Sequence, residues 1–160
     1  MSPTLEGKLD GSGVHVALVV SRVNDLVTSR LLAGAEDCLE RHGCPADQRT
    51  VVRVPGSWEI PPVVQRLVAQ GPYDVVIALG ALIRGETPHF DFLAGQVTRG
   101  LAQISLQSRI PVIYGVLTTD TVAQALDRSG AKAGNKGWEA ALSALEMTDL
   151  FRRLERGVTA

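Results

Sequence analysis

Apolar residues along this chain fall into two alternating patterns. Residues 14–20, 50–54, 75–82 and 112–117 are short runs rich in Val, Ile and Leu with little polar interruption. The first and third runs are expected of buried parallel strands, the other two of shorter strands beside them, and His15 inside the first is then a satisfied structural side chain rather than a ligand. Between the runs apolar positions recur at helical spacing. After the first, Leu31, Ala35, Cys38 and Leu39 form a buried stripe, opened by Asn24 or Asp25 as cap and closed at His42-Gly43, where a negative dipole end suits both residues. After the second, Pro61-Pro62 open a helix to about Gln70, since proline is tolerated in a first turn and no deeper. Phe90, Leu93, Val97, Leu101 and Ile104 follow the third run, and a short helix over residues 121–128, capped by Asp120 or Thr121, follows the fourth. A long helix over residues 136–156 ends the pattern, burying some combination of Trp138, Leu142, Leu145, Leu150 and Leu154.

Strands alternating with helices predict an α/β fold with a parallel sheet covered on both faces. Ligands gather at the carboxyl ends of strands in such folds. The loops at those ends are residues 21–24, 55–59, 83–89 and 118–120, so four separate loops converge on one rim.

Composition narrows the possibilities. With 160 residues, 45% of them hydrophobic, the chain is long enough for one domain with a substantial core. A formal net charge of -1 without long blocks of one sign argues against nucleic acid or an anionic membrane as partner. No apolar run approaches the ~18 residues of a membrane span, and the polar, glycine-rich residues 1–13 do not resemble a signal peptide, so a cytoplasmic location is expected. Cys38 and Cys44 lack the companions that would complete a metal site and are read as reduced, structural thiols.

The richest segment is residues 80–91, Gly80-Ala81-Leu82-Ile83-Arg84-Gly85-Glu86-Thr87-Pro88-His89-Phe90-Asp91, where an apolar strand runs into a glycine turn, a threonine and a histidine. Amides around Gly85, Glu86 and Thr87 at a helix start favour an anion. Imidazole changes protonation near neutrality, so His89 could move protons beside that anion, although a histidine at a helix start also serves as a cap or pair partner. Arginine outnumbers lysine thirteen to three, yet Lys132 and Lys136 share one glycine-rich stretch. They or Arg128 could supply positive charge to a phosphate; equally, the stretch could be a solvated loop. Arg84 could be an ion-pair partner, and Glu59 after Trp58 fits either hydroxyl recognition or a charge favourable to a helix N-terminus. There is no P-loop, and Gly11-Ser12-Gly13 precedes a strand instead of following one, which argues against a dinucleotide turn.

These stretches closely resemble the lumazine synthase family of riboflavin biosynthesis. The likeness spans residues 14–154 and rests on Ser21-Arg22-Val23-Asn24, Val54-Pro55-Gly56-Ser57-Trp58-Glu59-Ile60-Pro61, Ala78-Leu79-Gly80 onward to Phe90-Asp91, Gly115-Val116-Leu117-Thr118-Thr119, and Lys132-Ala133-Gly134-Asn135-Lys136-Gly137. The resemblance implies a three-layer α/β/α sandwich with a flavodoxin-like four-stranded parallel sheet, in a single domain over residues 1–160 with residues 1–13 as an N-terminal arm. It implies condensation of 5-amino-6-(D-ribitylamino)uracil with 3,4-dihydroxy-2-butanone 4-phosphate to 6,7-dimethyl-8-ribityllumazine. An imine forms, phosphate is eliminated, and the ribityl-bearing nitrogen closes the second ring with loss of water. No cofactor or metal is required. By the same resemblance His89 transfers protons, Gly85, Glu86 and Thr87 cradle the phosphate, and Arg128 of a neighbouring subunit neutralises it. Ser57, Trp58 and Glu59 hold the ribityl chain with the neighbour's Lys136, while Ala81, Leu82 and Ile83 meet the pyrimidine edge through backbone groups.

One position departs from the family's usual pattern, and another, Tyr114, falls at a variable site beside the substrate. Val23 replaces an aromatic residue that stacks on the pyrimidine, a loss of about 0.5 to 1.5 kcal/mol beyond area burial. Tyr114 stands where a phenylalanine or another residue packs across a subunit boundary. The family forms pentamers with sites between subunits, and the uninterrupted turn at residues 132–137 is typical of members that assemble twelve pentamers into a 60-subunit icosahedral shell, with riboflavin synthase a possible partner. Residues 5–9 could add a strand to a neighbour's sheet. Val23 leaves open an alternative, a catalytically weakened shell-forming or flavin-binding paralogue on the same scaffold; an unrelated phosphate-binding module would not explain Glu59, His89 and Lys136 together.

Overall fold

The computed structural model describes residues 1–131 and 134–157. Lys132 therefore lies outside the described residues. Four strands, β1 (Val16–Ser21), β2 (Arg49–Val54), β3 (Val75–Ile83) and β4 (Val112–Thr119), form one sheet in the order β2-β1-β3-β4, and every pairing is parallel. Helices α1 (Asp25–Arg41), α2 (Ile60–Gln70), α3 (His89–Gln107), α4 (Val122–Asp127) and α5 (Lys136–Arg156) connect or follow them, with a single 3-10 turn before β2 and another, Ser57–Glu59, before α2.

The two faces of the sheet have separate cores. Val16, Leu18, Val20, Ile77 and Leu79 meet α1 and α5, whereas Ala17, Val19, Val76 and Ala78 meet α2 and α3. Alternate residues of the central strands β1 and β3 enter opposite cores, the reason these two read as unbroken apolar runs, whereas the edge strand β2 buries fully only Val54. The result is a three-layer α/β/α sandwich of flavodoxin-like form.

Several local expectations are corrected. The first strand begins at Val16, and His15 is exposed before it; its amide donates to Asp74 Oδ2 at 2.8 Å, so the backbone, not the imidazole, is held. Asn24 does not cap α1 through its side chain. Its backbone sits in the left-handed region (φ 60°), where asparagine is tolerated, and its side chain reaches across to β3. Helix α5 has the anticipated bounds but buries Ala140, Ala141, Ala144, Leu145 and Thr148, leaving Trp138 and Leu142 half-buried and Leu154 exposed. Small residues win on that face because α5 lies close against α1: a side chain at Gly137 would collide with the Leu31 carbonyl. The expected caps at Thr121 and the C-terminal role of His42 hold, Thr121 accepting from the Gln124 amide at 3.1 Å and His42 Nδ1–H donating to the Cys38 carbonyl at 2.7 Å. Cys38 and Cys44 are buried and free, and burial pushes the Cys38 thiol up to about 11.

Candidate active site

All four predicted loops lie at the carboxyl ends of the parallel strands, on one rim of the sheet. Strand β3 outruns its inner neighbour there. Its pairing with β1 ends at Leu79, opposite Val20, while its pairing with β4 continues to Ile83, opposite Thr119. Peptide groups of alternate residues face the same neighbour, so beyond Leu79 those of Ala81 and Ile83 face the space above β1. Asn24 Nδ2 donates to the Ala81 carbonyl at 2.8 Å and ties the β1 loop to this open edge. Ala81 and Leu82 are buried and Ile83 is half-buried, which leaves backbone rather than side chains available to a ligand.

The β1 and β2 loops meet at Gly56. A methyl group there would lie 3.3 Å from Glu59 Oε2 and 3.4 Å from Val23 Cγ2, so the Glu59 carboxylate and the Val23 side chain flank the same small space. Val23 and Trp58 are 51% and 60% exposed, large apolar groups in water beside a carboxylate. Ser57 behaves differently. Its hydroxyl is buried without a hydrogen-bond partner among the described groups and packed near Gly80, and the whole residue is buried, so its side chain faces the sheet rather than the rim.

Past β3 the chain leaves the sheet at Arg84, whose amide donates to the Thr119 carbonyl at 2.8 Å. Gly85, Glu86, Thr87, Pro88 and His89 are all exposed, and no hydrogen bond among the described residues involves Gly85, Glu86 or Thr87. Pro88 is the cap residue of α3, and its carbonyl accepts the Asp91 amide at 3.1 Å and the Phe92 amide at 3.3 Å, which leaves His89 in the first turn. Unpaired amides ahead of a 19-residue helix form a ready seat for an anion, with an imidazole at its edge.

Arg128, Lys136 and Tyr114 lie elsewhere. They line a cavity of about 390 Å³ between β4 and α5, together with Thr118, Glu139 and Ser143, and neither His89 nor residues 85–87 belong to its lining. The Lys136 amide donates to the Arg128 carbonyl at 2.8 Å, and Lys136 Nζ pairs with Glu139 Oε2 at 2.7 Å. Asn135 builds this corner. Its Oδ1 accepts the Gly137 and Trp138 amides at 2.8 and 3.1 Å, and its Nδ2 donates to the carbonyls of Arg30 and Ser129 at 3.0 and 3.1 Å. Tyr114 shares its hydroxyl with Thr98 at 3.0 Å and is otherwise 45% exposed. The structure thus brings Val23, Glu59, Ala81 and the 85–89 segment to one rim and places Arg128 with Lys136 in a second cluster at the β4 side.

Sequence reading missed Asn24 as a cross-link and Asn135 as a hub. An asparagine before a helix suggests a cap, and only the fold reveals a long-range partner; for Asn135, the glycines on either side were the available signal.

Among the described residues no group of His, Cys, Asp or Glu could hold a metal ion, and no helix there is long and apolar enough to cross a membrane. The family model described as 6,7-dimethyl-8-ribityllumazine synthase matches residues 13–152. A Chlorobaculum tepidum protein named 6,7-dimethyl-8-ribityllumazine synthase is 50% identical over 150 residues, covering 94% of this chain and 97% of the relative. A match of that extent means that the chain belongs to the 6,7-dimethyl-8-ribityllumazine synthase family.

Proposed function

We propose that this chain is an active 6,7-dimethyl-8-ribityllumazine synthase that carries out the condensation at the rim described above. The observation that carries the site assignment is the row of unpaired amides at Gly85, Glu86 and Thr87, with His89 at their edge and the open backbone of β3 beside them. The phosphate of the butanone sits on those amides. Ala81 and Ile83 present backbone groups to the pyrimidine edge, with Leu82 packed beneath, and Val23 and Trp58 flank it. Glu59 accepts ribityl hydroxyls, while Ser57 contributes through its main chain.

In the first stage the exocyclic amine attacks the ketone carbon, and water leaves as the imine forms. His89 takes the proton whose loss allows the phosphate to depart, and returns it as the resulting enol becomes a carbonyl. The ribityl-bearing nitrogen then attacks that carbonyl, and loss of a second water closes the ring. The residues do this by holding, orienting and moving protons, with no cofactor.

Charge favours an assembly over an isolated chain. Beside the phosphate seat stand Arg84 and the carboxylates of Glu86, Asp91 and Asp120, an excess of negative charge that would repel a phosphate dianion. Arg128 of a second copy supplies the missing positive charge, and Lys136 of that copy reaches the ribityl chain. Helix α3 supports the same reading: only Val97 and Leu101 of its residues are fully buried, and Phe92 and Leu106 are 72% and 88% exposed. The assembly is a homo-pentamer, further packed into a 60-subunit icosahedral shell, with riboflavin synthase as a candidate guest; the chain is one domain with an N-terminal arm, and it works in the cytoplasm.

Mixing the purified protein with both substrates tests the activity. Fluorescent lumazine and stoichiometric phosphate are expected, and absence of product at high protein concentration would overturn the reading in favour of a non-catalytic scaffold.

A further inference from the structure

Arg84 takes no part in the scheme above, yet among the described side chains of the rim segment it is the most heavily bonded. Its Nε donates to Asp120 Oδ1 at 2.9 Å, and its Nη1 donates to both carboxylate oxygens of Asp91 at 3.1 and 3.2 Å. Its Cζ lies 4.5 Å from the centroid of the Phe90 ring. Its amide, at the other end of the residue, is fixed to the Thr119 carbonyl.

The spacing of these partners matters. The backbone of Arg84 marks the entrance to the loop, and its side chain grips Phe90 and Asp91 at the exit, seven residues on for the carboxylate. Between those points Gly85, Glu86 and Thr87 have no hydrogen bonds among the described residues, and a methyl group placed on Gly85 would meet nothing within 4 Å. A loop without internal bonds has many conformations, and an anion that had to order it would bind weakly. Closing its two ends with one planar side chain removes most of that freedom. Exposed ion pairs add little to global stability, so the pairs at Arg84, whose side chain is 45% exposed, have their main effect locally.

We propose that Arg84 is a positioning residue, resting on the synthase reading: it closes residues 85–90 into a preformed ring whose free amides receive the phosphate, and contributes no free cation to that phosphate. Its charge is already matched by two carboxylates, and a fork that meets two carboxylates on two edges and an aromatic ring on its face cannot be copied by a lysine.

The test compares wild type with Arg84→Gln, Arg84→Lys, Asp91→Asn, Asp120→Asn and the double variant Arg84→Gln/Asp120→Asn, using inorganic phosphate as a competitive inhibitor alongside steady-state kinetics. Arg84→Gln should raise the inhibition constant of phosphate and KM for the phosphorylated ketone by about tenfold or more. Its kcat should stay within about threefold and KM for the pyrimidine should be unchanged. Arg84→Lys should not rescue, and the double variant should be no worse than Arg84→Gln alone. Thermal midpoint and oligomeric mass should match wild type. A phosphate constant within about twofold of wild type in Arg84→Gln, or full rescue by lysine, overturns the proposal. Should Arg84→Gln fail to fold, the two single carboxylate variants decide, because Asp91→Asn opens the ring and Asp120→Asn loosens Arg84 from the end of β4, each with the cation in place; unchanged phosphate constants in both overturn it. Should wild type make no lumazine, the synthase reading fails on its own, and direct calorimetric binding of inorganic phosphate to the same variants still decides the role of Arg84.

Discussion

At the residue scale, position and charge divide the work. His89 stands in the first turn of α3 beside the unpaired amides, where the proposed scheme has it move protons rather than hold the phosphate. His89→Ala is expected to lower kcat by about a hundredfold or more while phosphate inhibition changes little. Arg128 lies with Lys136 in the β4–α5 cavity, where its charge can serve a ligand as a pure electrostatic partner. Arg128→Ala should chiefly raise KM for the phosphorylated ketone. Steady-state kinetics with each substrate varied in turn checks both, and exchanged phenotypes would reverse the roles. Cys38 needs no such role: with its thiol pushed up to about 11 by burial and by the nearby Asp37 carboxylate, it should react with a disulfide reagent only on unfolding.

At the scale of elements, the site depends on how helix ends are tied to strand ends. Asn24 joins the β1 loop to β3, and Asn135 joins the start of α5 to α1 and to the turn after α4. Asn135→Ala removes a helix cap and leaves the carbonyls of Arg30 and Ser129 without this donor. It should cost about 1–3 kcal/mol in a denaturant titration. Because the Lys136 amide is bonded to Arg128 in the same corner, the variant should also weaken phosphate inhibition; an unchanged constant would show that the corner does not position those cations. Gly137→Ala should be the harsher change, since its Cβ would collide with the Leu31 carbonyl.

For the whole molecule, the arm and the exposed faces are the points of interest. In the single chain the arm follows α5: Gly7 lies against the Glu146 carbonyl with no room for a side chain, and the Lys8 amide donates to Asp149 Oδ2 at 2.8 Å. That amide, with the Arg153 guanidinium, holds the Asp149 carboxyl below its ordinary value of 3.8. A carboxyl depressed on folding stabilises above its unfolded pKa, and the contribution is lost as pH falls below about 3.8 through the folded value. Protection of the arm amides relative to their intrinsic exchange rates should therefore fall selectively as pH drops below that point, and Asp149→Ala should show reduced protection already at neutral pH. Light scattering addresses the assembly: a mass of 60 subunits is expected, a pentamer would remove the shell, and a monomer that still made lumazine would refute the shared site.

Local patterning determined the sheet, the helices and the rim in this chain, because unbroken runs such as Val16-Ala17-Leu18-Val19 and Val76-Ile77-Ala78-Leu79 are buried on both faces only in a sheet covered by helices on both sides. It also placed Gly85, Thr87 and His89 at a strand-to-helix junction, a local property of order along the chain. Tertiary structure decided what depends on contacts between distant residues. It turned Asn24 from a cap into a cross-link, withdrew the Ser57 hydroxyl from the rim, matched Arg84 with Asp91 and Asp120, and set Arg128 and Lys136 in a cavity apart from the rim they are expected to serve. Hydrogen bonds and ion pairs are short-ranged, so their partners are fixed by which elements pack together, and spacing along the chain carries no record of that.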